Sequence, residues 1–187
     1  MLKLDKVIPL LVFLGCSCGA LLADTVTITS SKDNTLYEDP LGGISNGVGY
    51  YMFAGKTGSS VLRRALIEFD IAGNVPAGAT INSVSLTLNM SKTIAIAPAL
   101  VELRRVTSDW GQGPSDAAFE EGTGALAAIG DATWQHTFFN TQFWTNEGGD
   151  YSATLSASQV IGGLGFYTWG STPQMVADVQ EWLITPA

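Results

Sequence analysis

RRALIEFDIAGNVPAGATINSVSLTLNM, residues 63–90, reads as two β-strands joined by a turn. Its second half alternates without a break. Val84, Leu86, Leu88 and Met90 point one way, and Ser83, Ser85, Thr87 and Asn89 point the other. A side-chain period of two places every apolar residue on one face, the pattern of a half-buried antiparallel strand. In the first half, Ala65, Ile67 and Phe69 share one face, while Arg64, Leu66, Glu68 and Asp70 share the other. The link at 73–79, GNVPAGA, is made of turn formers with no charge.

Working outward, the same alternation marks 24–30 (DTVTITS), with Val26 and Ile28 inward. Residues 31–48 read as loop, rich in Asp-Asn, Asp-Pro and Asn-Gly pairs. Short strands are expected at 49–55, 100–106, 134–139, 151–161 and 165–169. Between 107 and 133 the pattern gives way to Gly, Ala and acidic residues. A loop of about 25 residues is long for a compact domain and is usually functional or mobile. The final element differs. Thr172-Pro173 is a helix cap followed by proline at the first helical position. Met175, Val176, Val179, Trp182 and Leu183 then fall on one helical face, with Asp178 and Glu181 elsewhere. The expected class is all-β, an antiparallel sandwich with one short C-terminal helix.

The 187 residues suggest one domain. Charged residues make up 14% and the net charge is −8. That balance argues against nucleic acid as a partner, since binding the phosphate backbone needs a basic footprint. It suits a cation such as calcium, which favours oxygen ligands. Residues 1–23 have the pattern of a secretory signal peptide. Lys3 and Lys6 precede an uncharged run at 7–22 that ends at Ala23. The run is short for a membrane span, and no second span follows. Phe13-Leu14-Gly15-Cys16 loosely resembles a lipoprotein signal. Cys16 and Cys18 both lie in this segment, so cleavage after Ala23 leaves no disulfide and a net charge of −9. The expected protein is secreted or at the cell surface, with a β-sandwich domain over 24–187.

Several phrases together resemble one family: KDNTLYE (32–38), SNGVGYYMFAG (45–55), RRALIEFDI (63–71), PAGATINSVSLTLN (76–89), DWGQGPSDA (109–117), GDATW (130–134) and the W-G-S-T-x-x-M-V-x-D-V-Q-x-W pattern at 169–182. They are similar to the DNRLRE-domain family of secreted bacterial proteins, related to carbohydrate-binding modules. The resemblance implies a non-catalytic β-sandwich of jelly-roll type, often attached to polysaccharide lyases or cell-surface proteins. Some related modules bind acidic polysaccharides such as alginate. Family members usually continue past the helix with strands that close the sandwich. The expectation is therefore a domain truncated after Ala187, lacking its closing strands, with an attached catalytic domain or sorting segment if the chain is a fragment.

Three sets of residues are candidates for a site. Trp110, Trp144 and Tyr50 could offer flat faces to sugar rings, with core packing and loop anchoring as the plainer reading. Lys56, Arg63 and Arg104, with Arg64 and Arg105 beside them, could grip uronic acids, since arginine pairs carboxylates in a bidentate way. Pairing with nearby acids is the plainer role. Asp33, Asn34 and Asp39, in one loop, and Asp109, Asp116 and Asp131, bracketing another, could hold a structural calcium, with turn formation as the alternative. For catalysis, the single His136 lies in no recognised catalytic context, and Glu120-Glu121 offer no fixed carboxyl separation. The expected function is polysaccharide binding or surface and matrix attachment. A structural surface protein without a sugar ligand is the alternative, and a lyase or hydrolase the remote one.

Overall fold

The computed structural model describes residues 1–5, 9–15, 24–94 and 97–186. The fold is all-β, built on one large antiparallel sheet. In chain order its strands are β1 (Leu2–Asp5), β2 (Pro9–Gly15), β3 (Asp24–Thr29), β4 (Lys32–Tyr37), β5 (Ile44–Ser45), β6 (Tyr51–Lys56), β7 (Leu62–Glu68) and β8 (Thr80–Thr93). After these come β9 (Ala99–Leu103), β10 (Ala125–Leu126), β11 (His136–Phe138), β12 (Gln142–Phe143), β13 (Ala157–Ile161) and β14 (Gly165–Trp169). Helix α1 (Ile71–Asn74) is a single turn between β7 and β8, and α2 (Pro173–Ile184) follows β14.

The alternation expected at 83–90 runs through β8, where Val84, Leu86, Leu88 and Met90 are buried. Ile81 is buried too, although it lies three residues before Val84. The pairing explains this. Phe13 lies opposite Ser83 and Leu14 opposite Ile81, so Asn82 is an extra residue in a β-bulge. Along one edge of β8 runs β14, from Gly165↔Met90 to Trp169↔Leu86. Along the other edge run β2, with Leu10↔Leu86, and β1, with Leu4↔Met90. Beyond them β2 pairs with β3, and β1 with β6. The stretch expected as a leader thus supplies, in its described part, two strands in the middle of the sheet.

Two hydrophobic clusters lie on opposite sides of β7, as its period of two requires. Ala65 and Ile67 pack against the main core, which holds the inward face of β8 with Leu10, Val12, Ile161, Trp169 and, from α2, Met175, Val179 and Leu183. Leu66 faces the other way, into a second cluster with Leu36, Trp110, Ala132, Trp134 and Trp144. The long irregular region from 104 to 150 covers this outer face.

Helix α2 forms where its signals place it, with the Thr172 hydroxyl accepting from the Met175 amide at 3.0 Å. Asp178 departs from the expected wheel. It is buried, accepting from the Ser156 hydroxyl at 2.6 Å and from Gln174 Nε2 at 2.9 Å. The loop expected over 31–48 is also partly corrected, because 32–37 is strand β4 paired with β7. Its turn-forming Asn34 is used as a buried hydrogen-bonding residue, so pairing overrides local preference. The strand expected from 151 starts only at Ala157.

Candidate functional site

The six residues expected to bind a ligand do not gather at one surface: Trp110 and Trp144 share the second buried cluster, and Tyr50, Lys56, Arg63 and Arg104 lie apart from it. Trp110 and Trp144 are 3% and 6% exposed, so they are loop anchors and present no open platform. The outer face of β7 needs an apolar cover, and two indoles supply it. Trp144 Nε1 donates to the Thr133 carbonyl at 2.8 Å, and the Trp110 ring carries Lys32 Nζ at 4.8 Å from its centre. Arg104 is committed to Glu102 through Nε at 3.1 Å and Nη2 at 2.9 Å, and to the Ala153 carbonyl. Arg63 lies over the Tyr37 ring at 4.7 Å, and burial lowers its pKa. Tyr50 is 81% exposed and Lys56 is exposed.

The six oxygen-bearing candidates for a metal do not converge either. Asp109 pairs with Lys32 at 3.1 Å, Asp39 accepts from the Gly43 amide at 2.8 Å, and Asp116 is exposed. Asp33 is buried in β4, one residue before Asn34 and so facing the opposite side of that strand. Among the described residues no three His, Cys, Asp or Glu side chains cluster as a metal site would require. Asn34 and Asp131 do meet in one buried polar region. Asn34 Oδ1 accepts from the Thr35 amide, the Ser45 hydroxyl and the Asn46 amide at 2.6, 3.0 and 3.2 Å. Its Nδ2 donates to the Gln112 carbonyl at 2.8 Å. Burial pushes the Asp131 carboxyl up, against hydrogen bonds from the amides of Ala128 and Ser115. Asp131 Oδ1 and the carbonyls of Gln112 and Gly113 crowd Gly47 so closely that a Cβ there would lie 2.9, 2.1 and 2.4 Å from them.

A different, open cleft gathers a cation, polar side chains and an aromatic ring. It is lined by Arg64, Asn146, Glu147, Gly149 and Tyr151, with a volume of about 260 Å³. Strand β7 fixes Arg64, whose side chain shares a face with Leu66 and so emerges beside the second cluster. Its guanidinium lies 5.0 Å from the Trp134 ring centre and 5.1 Å from that of Tyr151. Nη1 donates to the Gly148 carbonyl at 2.6 Å. Among the described residues Arg64 has no carboxylate partner, and Nη2 and Nε have no hydrogen-bond acceptor. Tyr151 is half-exposed at the rim.

The loop beside Arg64 is set by Asp150. Its carboxylate accepts from the Thr145 amide at 2.7 Å and from the amide and side chain of Asn146 at 2.9 and 3.0 Å. Gly148 has φ +81°, and a Cβ there would meet Arg64 Nη1 at 2.6 Å and the Trp134 ring at 2.8 Å. Only glycine fits that position. Burial would raise the Asp150 pKa, but these hydrogen bonds outweigh it and hold the carboxyl below its usual range. The stability it contributes is therefore full above an ordinary aspartate pKa and is lost as pH falls through the depressed value. Asp150→Asn is expected to flatten the loss of urea resistance between about pH 5 and pH 2, checked by paired denaturation curves.

His136 is structural. Its Nδ1 lies 3.0 Å from the Thr133 hydroxyl, Phe143 stacks at 4.3 Å between ring centres, and burial lowers its pKa. Of the cations that the sequence offers for uronic acids, Arg64 is the one at this cleft, while Asn146, Glu147 and Tyr151 carry no such signal in the sequence. The signal available was the strand period, which sends Arg64 to the face opposite Ala65 and Ile67. Among the described residues no helix is long and apolar enough to cross a membrane. No family model, curated protein or solved structure matches the chain.

Proposed function

We propose that the chain is a secreted, non-catalytic sugar-binding module that holds a polysaccharide at the cleft of Arg64 and Tyr151. The observation that carries this reading is the state of Arg64, a half-buried cation held between two aromatic rings with no carboxylate partner among the described residues. Flanking rings fix the guanidinium plane and remove water from its faces, which strengthens its remaining N–H donors toward a ligand. A sugar ring can lay its C–H face on Tyr151 while its hydroxyls meet Asn146 and Glu147. A uronate carboxylate would pair with Arg64. The resemblance to carbohydrate-binding modules of jelly-roll type supports the same reading, and the leader-like composition of residues 1–23 supports export. The histidine locked by Thr133 and Phe143 supports a non-catalytic role, as does Glu121, whose carboxylate is held by Asn46 and the amides of Tyr50 and Tyr51.

Affinity gels containing alginate, pectin or a neutral glucan test the reading. Retardation by an acidic polymer is expected, with Arg64→Ala and Tyr151→Ala each weakening it by roughly 10-fold or more. Binding that survives both changes, or retention on no polymer, would remove the cleft from the proposal. Release of sugar products would overturn the non-catalytic part.

A further inference from the structure

Strands β1 and β2 occupy an unusual place in the sheet. From Leu10 to Leu14 the backbone of β2 pairs with β8 on one side and with β3 on the other. From Leu2 to Leu4, β1 pairs with β8 and with β6 in the same way. The two strands together therefore satisfy three strand edges at once. Their described side chains complete the core, with Leu2 at 4%, Leu10 at 3% and Val12 at 0% exposure. Lys3 fixes the other end. Its ammonium lies 3.4 Å from the centre of the Tyr51 ring and 3.4 Å from Glu120 Oε2. The pairing with β8 shifts register twice, between Lys3 and Leu4 and between Phe13 and Leu14. The same residues have the composition of a leader that export removes. Without them, β3, β6 and β8 would face an apolar trench with unpaired backbone groups along its walls, the arrangement that templates an added strand.

We propose that the gap between β8 and the β3–β6 edges is a strand-acceptor site, filled in cis by β1 and β2 and refilled by an incoming polypeptide strand when they leave. The strand it takes is extended and antiparallel to β8. It carries apolar side chains at the positions of Leu10 and Val12 and a cation at the position of Lys3. Backbone pairing on both edges supplies affinity, and the two apolar positions with the Glu120–Tyr51 corner supply register. This inference is independent of the sugar cleft, which lies on the outer face of β7.

The test uses the full chain with a protease site placed within residues 17–22. After cutting, the protein is mixed with an excess of labelled peptide of residues 1–15 and followed by native mass spectrometry. One labelled peptide per chain should replace the native segment. A peptide carrying Leu10→Asp and Val12→Asp should compete roughly 100-fold more weakly or worse. The Lys3→Glu peptide should also lose affinity, by a smaller factor. The proposal is overturned if the cut protein loses the segment yet keeps its Tm and β-sheet circular dichroism. It is equally overturned if the double-aspartate peptide exchanges as well as the native one, or if no peptide exchanges.

Discussion

Trp169→Ala is expected to lower the unfolding free energy by about 4 kcal/mol, in the range for emptying a large buried aromatic site. Trp169 is fully buried, and it is the largest side chain to be so. It closes the register of β14 on β8 opposite Leu86, and it belongs to the same core as Met175, Val179 and Leu183 of α2. Its Nε1 donates to the Val101 carbonyl at 3.1 Å, which ties the large sheet to β9. Truncation removes the ring, leaves a cavity and strips the carbonyl of its donor. Trp169→Phe should fall between the two, since it fills part of the space but cannot donate to Val101. Urea denaturation of the three proteins decides the matter. A loss below about 1 kcal/mol for the alanine variant would mean that this core is not packed as described.

Asn34→Ala is expected to cost about 3 kcal/mol, for a different reason. No large volume is lost, but the Asn34 side chain joins β4 to three other segments through polar contacts. Removing it takes a partner from the Thr35 and Asn46 amides and from the Gln112 carbonyl, in a site where Asn34 itself is fully buried, while the Ser45 hydroxyl keeps the Ala132 carbonyl at 2.8 Å. A buried group left without a partner costs its full desolvation penalty. Asn34→Asp separates the two halves of the amide. The carboxylate can still accept from the three donors, but its second oxygen would oppose the Gln112 carbonyl. Burial without a cation raises such a carboxyl's pKa, so the loss should be largest at neutral pH and shrink as pH falls and the aspartic acid becomes a donor. Equal denaturation midpoints for Asn34→Asp and the parent at pH 7 would contradict this geometry.

These residues also show how far the sequence could be read. The period of two in β8 and in β7 correctly assigned their faces, because that signal is purely local. The cap and apolar spacing of α2 worked for the same reason. Asn34 failed locally. Asp-Asn is a turn signal until a strand partner and the loop at 112–132 supply its hydrogen bonds from far along the chain. Trp110 and Trp144 lie in polar surroundings in the sequence, yet both fold under the irregular region onto the outer face of β7. Their burial follows from the second face of a strand whose first face was the evident one. The Arg64 cleft was legible only in half, since strand period places Arg64 but nothing local brings Tyr151 and Asn146 beside it.

By itself, then, the stretch at 63–90 determined an antiparallel β scaffold, the inward face of its long strand and the side on which Arg64 emerges. Those properties depend on neighbours two residues apart. Tertiary structure alone decided what meets at each face and edge: the tryptophan cluster over Leu66, the cleft around Arg64, and the pairing of β1 and β2 with β3, β6 and β8. A strand edge offers the same backbone donors and acceptors to any extended segment. Which segment takes them depends on core fit and charge at its ends, and these exist only once the sheet is assembled.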